Sequence, residues 1–202
     1  MSVVFRPRLS RYLPPIAAAL GVVALGLVVA TDGMGGATTA APWVALLVGL
    51  VWAAYGRPHL MIDDSGILVV NVFRSVKIPW PAVQRIDTKW ALTLYTAYGK
   101  ITAWAAPAPG AVATRLATPR DLRGLPESTY GPGESIRPGD LPQYPSGAAA
   151  GMVRRRWETL RDAGHLDNPR LEFQRPPVTW HWATIGVGIA LVVLGVAPIL
   201  MG

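Results

Sequence analysis

The chain has 202 residues, of which 51% are hydrophobic and only 15% charged, with a mean hydropathy of +0.32. A soluble domain of this size usually carries about 25% charged residues, so the composition implies a small domain accompanied by lipid-facing segments. With no cysteine and three histidines, His59, His165 and His181, disulfides, thiol nucleophiles, thiolate metal sites and acylated or prenylated cysteines are excluded, and zinc has almost no ligands to use.

Formal net charge is +7, and all 19 Lys and Arg lie within residues 1–12 or 57–175. A nucleic-acid protein gathers its basic residues on one face, whereas segments alternating between basic and uncharged follow the positive-inside pattern of a membrane protein. Residues 1–12 are a basic lead, Arg6, Arg8 and Arg11, placed in the cytoplasm. Residues 13–30 carry no charge and would rise about 27 Å as a helix, close to the hydrocarbon thickness of a bilayer. They read as an uncleaved membrane helix rather than a secretory signal, because the apolar run is long and a second follows at once. Residues 31–40 read as a short flexible connector between antiparallel helices. The second helix runs to Tyr55, with Trp43 at one end and Trp52 and Tyr55 at the other as interfacial aromatic anchors. Ala17, Ala18, Gly21, Gly26, Ala45 and Gly49 either let two backbones approach closely or are simply the small residues frequent in membrane helices. Arg57-Pro58 ends this two-helix transmembrane hairpin, residues 13–56.

Residues 57–106 change character, with short β-rich runs separated by turns. Asp63-Asp64-Ser65-Gly66 is a turn into a strand from Ile67 to Val72. In Val76-Lys77-Ile78-Pro79-Trp80 the alternation puts Val76, Ile78 and Trp80 on one face and Lys77 on the other. Residues 81–87 read as a turn or a bulged strand, and Ala97-Tyr98-Gly99-Lys100 joins two strands as a hairpin. Leu92 and Leu94, with Trp90 as a further candidate, then share one face and meet Ile101 and Ala103 on the returning strand. Ile67, Val69, Ile78, Trp80, Leu92, Leu94 and Trp157 form the expected core. Eight prolines and seven glycines fall in residues 107–151, so residues 107–146 read as a disordered insertion, with a strand as an alternative around 112–116. Residues 147–164 read as an amphipathic helix with Met152, Val153, Trp157 and Leu160 on its apolar stripe and Arg154, Glu158, Arg161 and Asp162 on the rest. A linker, residues 165–177, leads to a third membrane helix, 178–200, entered through Trp180 and Trp182. Charge counting puts the N-terminus and residues 57–175 in the cytoplasm and the C-terminus outside a multi-pass plasma-membrane protein.

Arg57-Pro58-His59-Leu60 with Ile62-Asp63, the Asp64-Ser65-Gly66 turn, Val70-Asn71, and above all Ile78-Pro79-Trp80 followed by Val83 and Ile86 resemble the bacterial PH-like domain of small actinobacterial membrane proteins, the group that includes low molecular weight protein antigen 6. Trp90, Leu92, Leu94, Gly99 and the Ile101 to Trp104 return match its hairpin. The resemblance implies an α+β membrane protein whose partly open PH-like β-barrel or sheet is closed by a C-terminal helix. It supplies no reaction. Phosphoinositide recognition is not carried over, since the first hairpin loop, where other PH domains are basic, holds Asp63 and Asp64.

No catalytic grouping remains in the sequence, and no cofactor is expected. Adjacent Asp63 and Asp64 read as a solvated turn, His59 and His181 as interfacial residues, and Ser65 and Ser75 have no nucleophile setting. Arg74, Lys77, Arg154, Arg155, Arg156 and Arg161 are the candidate contacts to anionic lipid headgroups or to a partner. Nucleic acid is not expected, because the aromatic residues alternate with apolar ones rather than with basic ones. The reading is a membrane-anchored, non-enzymatic protein that binds or scaffolds a protein partner in or on the bilayer. The alternatives are an accessory subunit of a larger membrane complex and an anionic-lipid contact module.

Overall fold

The computed structural model describes residues 2–110, 125–130, 136–166, 171 and 175–201. The chain divides into two compact units, one made of Met1–Pro7, His59–Asn71 and Ser75–Thr179, the other of Arg8–Pro58, Val72–Arg74 and Trp180–Gly202.

The first unit is the β domain. Its larger sheet has the order β1 (Val3–Phe5), β2 (His59–Ile62), β3 (Gly66–Val70), β4 (Arg74–Pro79), β8 (Val178–Trp180), and its smaller sheet the order β5 (Val83–Asp87), β6 (Ala91–Thr96), β7 (Gly99–Pro107). Both are open sheets. The period-2 pattern explains the register: Phe5 lies opposite Leu60, Ile62 opposite Ile67, Ile67 opposite Ile78 and Val69 opposite Val76, so one face of the larger sheet is wholly apolar. Leu92, Leu94, Ile101 and Ala103 do the same for the smaller sheet. Helix α2 (Pro145–Asp162) covers the space between with Ala149, Ala150 and Val153, all fully buried.

Several local devices set this packing. Gly66, at φ 156°, is required by crowding, since a Cβ there would stand 2.2 Å from the carbonyl oxygen of Ile78. The Trp80 indole N–H donates to the carbonyl of Asp63 at 2.9 Å, tying the end of β4 to the β2–β3 turn. The Asn71 side chain donates to the Thr102 carbonyl and accepts from the Trp104 amide, both at 2.8 Å, so one side chain imitates a step of β-ladder beside β7. Residues 81–87 resolve into a short 3-10 turn and the strand β5, which carries a bulge between Val83 and Arg85.

Two features of this unit depart from the sequence reading. The basic lead is not merely a tail, because Val3–Phe5 is a strand paired to β2 across more than fifty intervening residues. Within the expected insertion, Thr129, Asp140 and Leu141 are buried, and Tyr144 and Pro145 already begin α2. The ordering force is polar. Arg154, assigned by periodicity to the solvent face, is only 5% exposed and forms a 2.6 Å ion pair with Asp140, which is 2% exposed. Thr88 donates its hydroxyl to the same carboxylate oxygen at 2.6 Å, Arg154 also reaches Thr129 at 3.3 Å, and Ser146 donates to the Gly139 carbonyl at 2.6 Å. The described parts of this proline- and glycine-rich stretch around Thr129 and Gly139–Asp140 are held by this network. The strand considered around 112–116 lies outside the described residues.

The second unit is helical. Helix α1 (Leu9–Val51) runs into a π-helical turn, Trp52–Gly56, and α3 spans Trp182–Met201. Where a flexible connector was expected at 31–40, the chain is helical except at Gly33, whose φ of 69° and ψ of −166° no helix accommodates. A Cβ on Gly21 would stand 2.9 Å from Val48, and one on Gly56 3.0 Å from Pro14, so the arms before and after Gly33 lie against each other. Of the small residues singled out, Gly21 makes that approach, whereas Gly26 and Gly49 face open space. Gly195 of α3 abuts the Trp43 ring. Among the described residues one helix, Leu9–Gly56, is long and apolar enough to cross a membrane, and Trp182–Pro198 is a shorter apolar helix. The apolar helix expected over 178–200 begins only at Trp182, because Val178–Trp180 is extended, as β8.

Removing one partner of a buried ion pair costs about 3–5 kcal/mol, while replacing both with apolar groups is often neutral. Asp140→Ala should therefore lower the thermal midpoint of the near-ultraviolet circular dichroism transition of the purified protein in detergent, and the double variant Asp140→Leu, Arg154→Met should recover most of it. Equal midpoints for wild type and Asp140→Ala would refute the role assigned to the pair.

Candidate interaction surfaces

The six basic residues singled out as headgroup or partner contacts do not form one patch. Arg154 is interior. Arg155 is exposed, and Arg156 pairs with Asp64 across from the β2–β3 turn. Arg161 lies 5.4 Å over the Trp157 ring, 3.1 Å from Asp162 and 3.8 Å from Glu127. Lys77 is exposed on β4. Arg74 belongs to the helical unit, 5.9 Å over the ring of Trp180. Arg154 carried a signal that was readable in principle. It stands four residues after Ala150 and seven after Gly147, on the helix face where small residues let another backbone approach.

The aromatic anchors Trp43, Trp52, Tyr55, Trp180 and Trp182 are all exposed in the helical unit, Trp182 most of all at 71%. Trp52 carries the Arg57 guanidinium 5.7 Å over its ring, and the Trp180 and Trp182 rings lie 6.1 Å apart. Arg57 also hydrogen-bonds Thr184 at the start of α3. Of the seven core residues named from the sequence, Ile67, Val69, Ile78, Leu92 and Leu94 are fully buried, Trp80 is nearly so, and Trp157 packs half-buried against them.

The acidic turn is a structural feature first. One oxygen of Asp63 accepts hydrogen bonds from the Ser65 hydroxyl at 2.7 Å, the Ser65 amide at 2.8 Å and the Gly66 amide at 2.9 Å. The Ser65 hydroxyl bond is the main cause of a carboxyl pKa held below its ordinary value, with the two amides and the charge of Lys77 acting the same way against a smaller burial effect. Three convergent donors leave that oxygen little capacity for a ligand.

Asp87 is held ionised by a different balance. Burial acts to raise its pKa, but hydrogen bonds from Arg137 and from the Lys89 amide prevail and lower it. Around Asp87 lies a surface that sequence reasoning missed, the outer face of the β5–β7 sheet. The ladder aligns Arg85 with Tyr95 and Tyr95 with Lys100 in one row across three strands, and Asp87 with Thr93 and Thr102 in the next. The Arg85 guanidinium lies 4.0 Å over the Tyr95 ring, Lys100 reaches the same ring at 5.9 Å, and Lys89 stands 5.7 Å over Trp90. Trp90 is 79% and Trp104 57% exposed. In the sequence Thr93, Tyr95, Lys100, Thr102 and Trp104 alternate with the buried Leu92, Leu94, Ile101 and Ala103, so the period-2 signal that locates the core also marks them as one outward face, whereas Trp90, which has the parity of Leu92, stands outside the strand in the β5–β6 turn.

Two open grooves complete the domain surface. One, of about 330 Å³, lies between Trp80, Val83, Trp157 and Leu171, and the other, of about 390 Å³, between Val3, Met152 and the Asp64 turn. The second is also lined by Asp63, Arg155, Arg156 and Thr159, and there Arg156 is paired with Asp64. Among the described residues no three His, Asp or Glu side chains gather to hold a metal ion.

Residues 57–131 match the family model described as the bacterial PH domain. A bacterial PH-like domain occupies this part of the chain. Comparison with curated proteins and with solved structures gives no match. The matched range spans β2 to β7 and continues through the turn at Glu127–Thr129; β1 and α2 lie outside it. Proteins with PH domains are generally non-catalytic, and the described residues contain no catalytic grouping.

A carboxylate whose pKa is lowered in the folded state contributes stability above its unfolded value, about 3.9, and that contribution is lost as pH falls toward the folded value. Unfolding midpoints measured in detergent should thus fall from about pH 4 downward, and Asp63→Asn should flatten that dependence. An unchanged slope in the variant would show that the Ser65 and Gly66 bonds do not favour the ionised form.

Proposed function

We propose that this is a multi-pass membrane protein whose PH-like domain is a non-enzymatic scaffold on the cytoplasmic side, binding a protein partner. The observation that carries the reading is the pairing of β1 with β2. Both strands belong to one domain, so the apolar run between them must leave and return to the same side of the bilayer. An even number of crossings is required, and two fit the run. Its 48 residues would extend roughly 72 Å as one straight helix, more than twice the hydrocarbon thickness, and Gly33 breaks it where a return is needed. Arg6, Arg8 and Arg11 at the entry and Arg57 at the exit support a cytoplasmic domain by the positive-inside pattern. The shorter helix α3 then makes a third crossing, with Trp180 and Trp182 at its entry.

The PH-like match and the lack of a catalytic grouping support binding over chemistry. An accessory-subunit role is the second reading: Gly21 spends its close approach within the chain, but Gly26 and Gly49 face open space, where the helix of another subunit can approach closely. A basic lipid patch loses Arg154 to the interior.

The absence of cysteine makes the topology directly testable by single introduced cysteines and a membrane-impermeant maleimide. Thr38→Cys should react in intact spheroplasts, and Ser2→Cys and Gln84→Cys only after permeabilisation. Ser2 and Gln84 labelled from opposite sides would sink the two-crossing reading. For the scaffold role, gentle extraction of the tagged full chain followed by mass spectrometry should recover a stoichiometric companion; recovery of the protein alone would count against it.

A further inference from the structure

The outer face of the β5–β7 sheet and the turn at its end bring three features together. Arg85 and Lys100 stand on the face and Lys89 in the β5–β6 turn; each is held over an aromatic ring; and Trp90 in that turn and Trp104 on β7 are more than half exposed. Cations stacked on rings are partly ordered before any ligand arrives, which reduces the entropy lost on binding. Tryptophan, tyrosine and arginine are also the residues that dominate binding energy at protein interfaces.

Resting on the scaffold reading above, we propose that this face is the docking surface for an acidic segment of the partner protein, one that places an apolar residue between two carboxylates. Arg85 and Lys100 sit on strands two apart, with Tyr95 between them, a separation of roughly 9.6 Å by ladder spacing. Carboxylates seven residues apart on a helix are separated by about 10.5 Å, with the residue three or four along facing the same way. Such a helix sets its acids against Arg85 and Lys100 and its apolar residue between them, beside the Tyr95 ring that both cations approach. Trp90 and Trp104 supply apolar area at the flank.

A second copy of this domain fits less well than a separate acidic protein, because each described carboxylate of the β domain already has a partner within the chain, from the Asp63 turn to the pairs of Asp64, Asp87, Asp140 and Arg161's neighbours. An anionic bilayer fits less well than a protein. Asp87 stands on the same face, in the row beside Arg85, 4.0 Å from it and paired to Arg137. A headgroup layer pressed on this face meets that carboxylate, whereas a partner segment that contacts the Arg85–Tyr95–Lys100 row leaves it paired.

The full chain in neutral phosphatidylcholine nanodiscs, panned against a random peptide library, tests this. Wild type should enrich peptides with two acids flanking an apolar residue, and Arg85→Glu with Lys100→Glu should weaken binding of the selected peptides at least tenfold while leaving the thermal unfolding midpoint unchanged. Enrichment without acids, or binding indifferent to the charge reversal, overturns the proposal. So does a shift of tryptophan emission in phosphatidylglycerol nanodiscs that the same reversal abolishes, which would assign the face to the bilayer. A stoichiometric cellular companion retained by the charge-reversed protein removes this surface and leaves the scaffold reading standing.

Discussion

A guanidinium withdrawn from water has few arrangements it can tolerate, and Arg154 has found one in which three parts of the chain distant in sequence must all be present. Asp140 supplies the charge, Thr88 shares the carboxylate, and Thr129 takes a second bond. The Nε of Arg154 is buried and makes no hydrogen bond, so the network is closed at some cost. That cost makes the arrangement specific: with any member displaced, a buried charge is left uncompensated. The hydrophobic core, by contrast, accepts many substitutions of similar volume and selects its neighbours less sharply.

The consequence reaches the whole β domain. Helix α2 brings only alanines, a valine and a set of half-buried larger residues to the sheets, and small side chains contribute little burial energy apiece. Their virtue is proximity, because Gly147 lets the helix touch the backbone at Asp140 and Leu141. The ion pair then locks the position that proximity permits. Through it the described turns at Glu127–Thr129 and Pro138–Asp140, which bring few apolar residues of their own, are tied to the helix.

The two ends of the domain show a related economy. A strand from the start of the chain completes one edge of the larger sheet, and a strand just before α3 covers the other, where the Lys77 amide donates to the Pro177 carbonyl at 3.1 Å. The edges of β2 and β4 are thereby covered by the segments that lead into and out of the apolar helices, and the short strands β1 and β8 become the outer strands of the larger sheet.

Much of this was legible without a structure. Period-2 alternation located Ile67, Val69, Ile78, Leu92 and Leu94 in the core and separated Lys77 from Val76 and Ile78, because alternation is a local property of a strand. Uncharged runs and basic flanks marked the apolar helices for the same reason, and the Ile78-Pro79-Trp80 element pointed to the PH-like domain. Three things were decided only in three dimensions. Strand β1 pairs across an entire helical unit, which no local pattern encodes. Arg154 turns inward because Asp140 is there to meet it, and a helix wheel that sorts residues by polarity alone must place it outside. The cations of β5 to β7 are scattered in sequence over fifteen residues, and only strand pairing puts Arg85, Tyr95 and Lys100 in one row. Local periodicity determines which residues face inward or outward; which outward residues become neighbours, and which charges find a partner inside, depends on contacts between segments far apart in the chain.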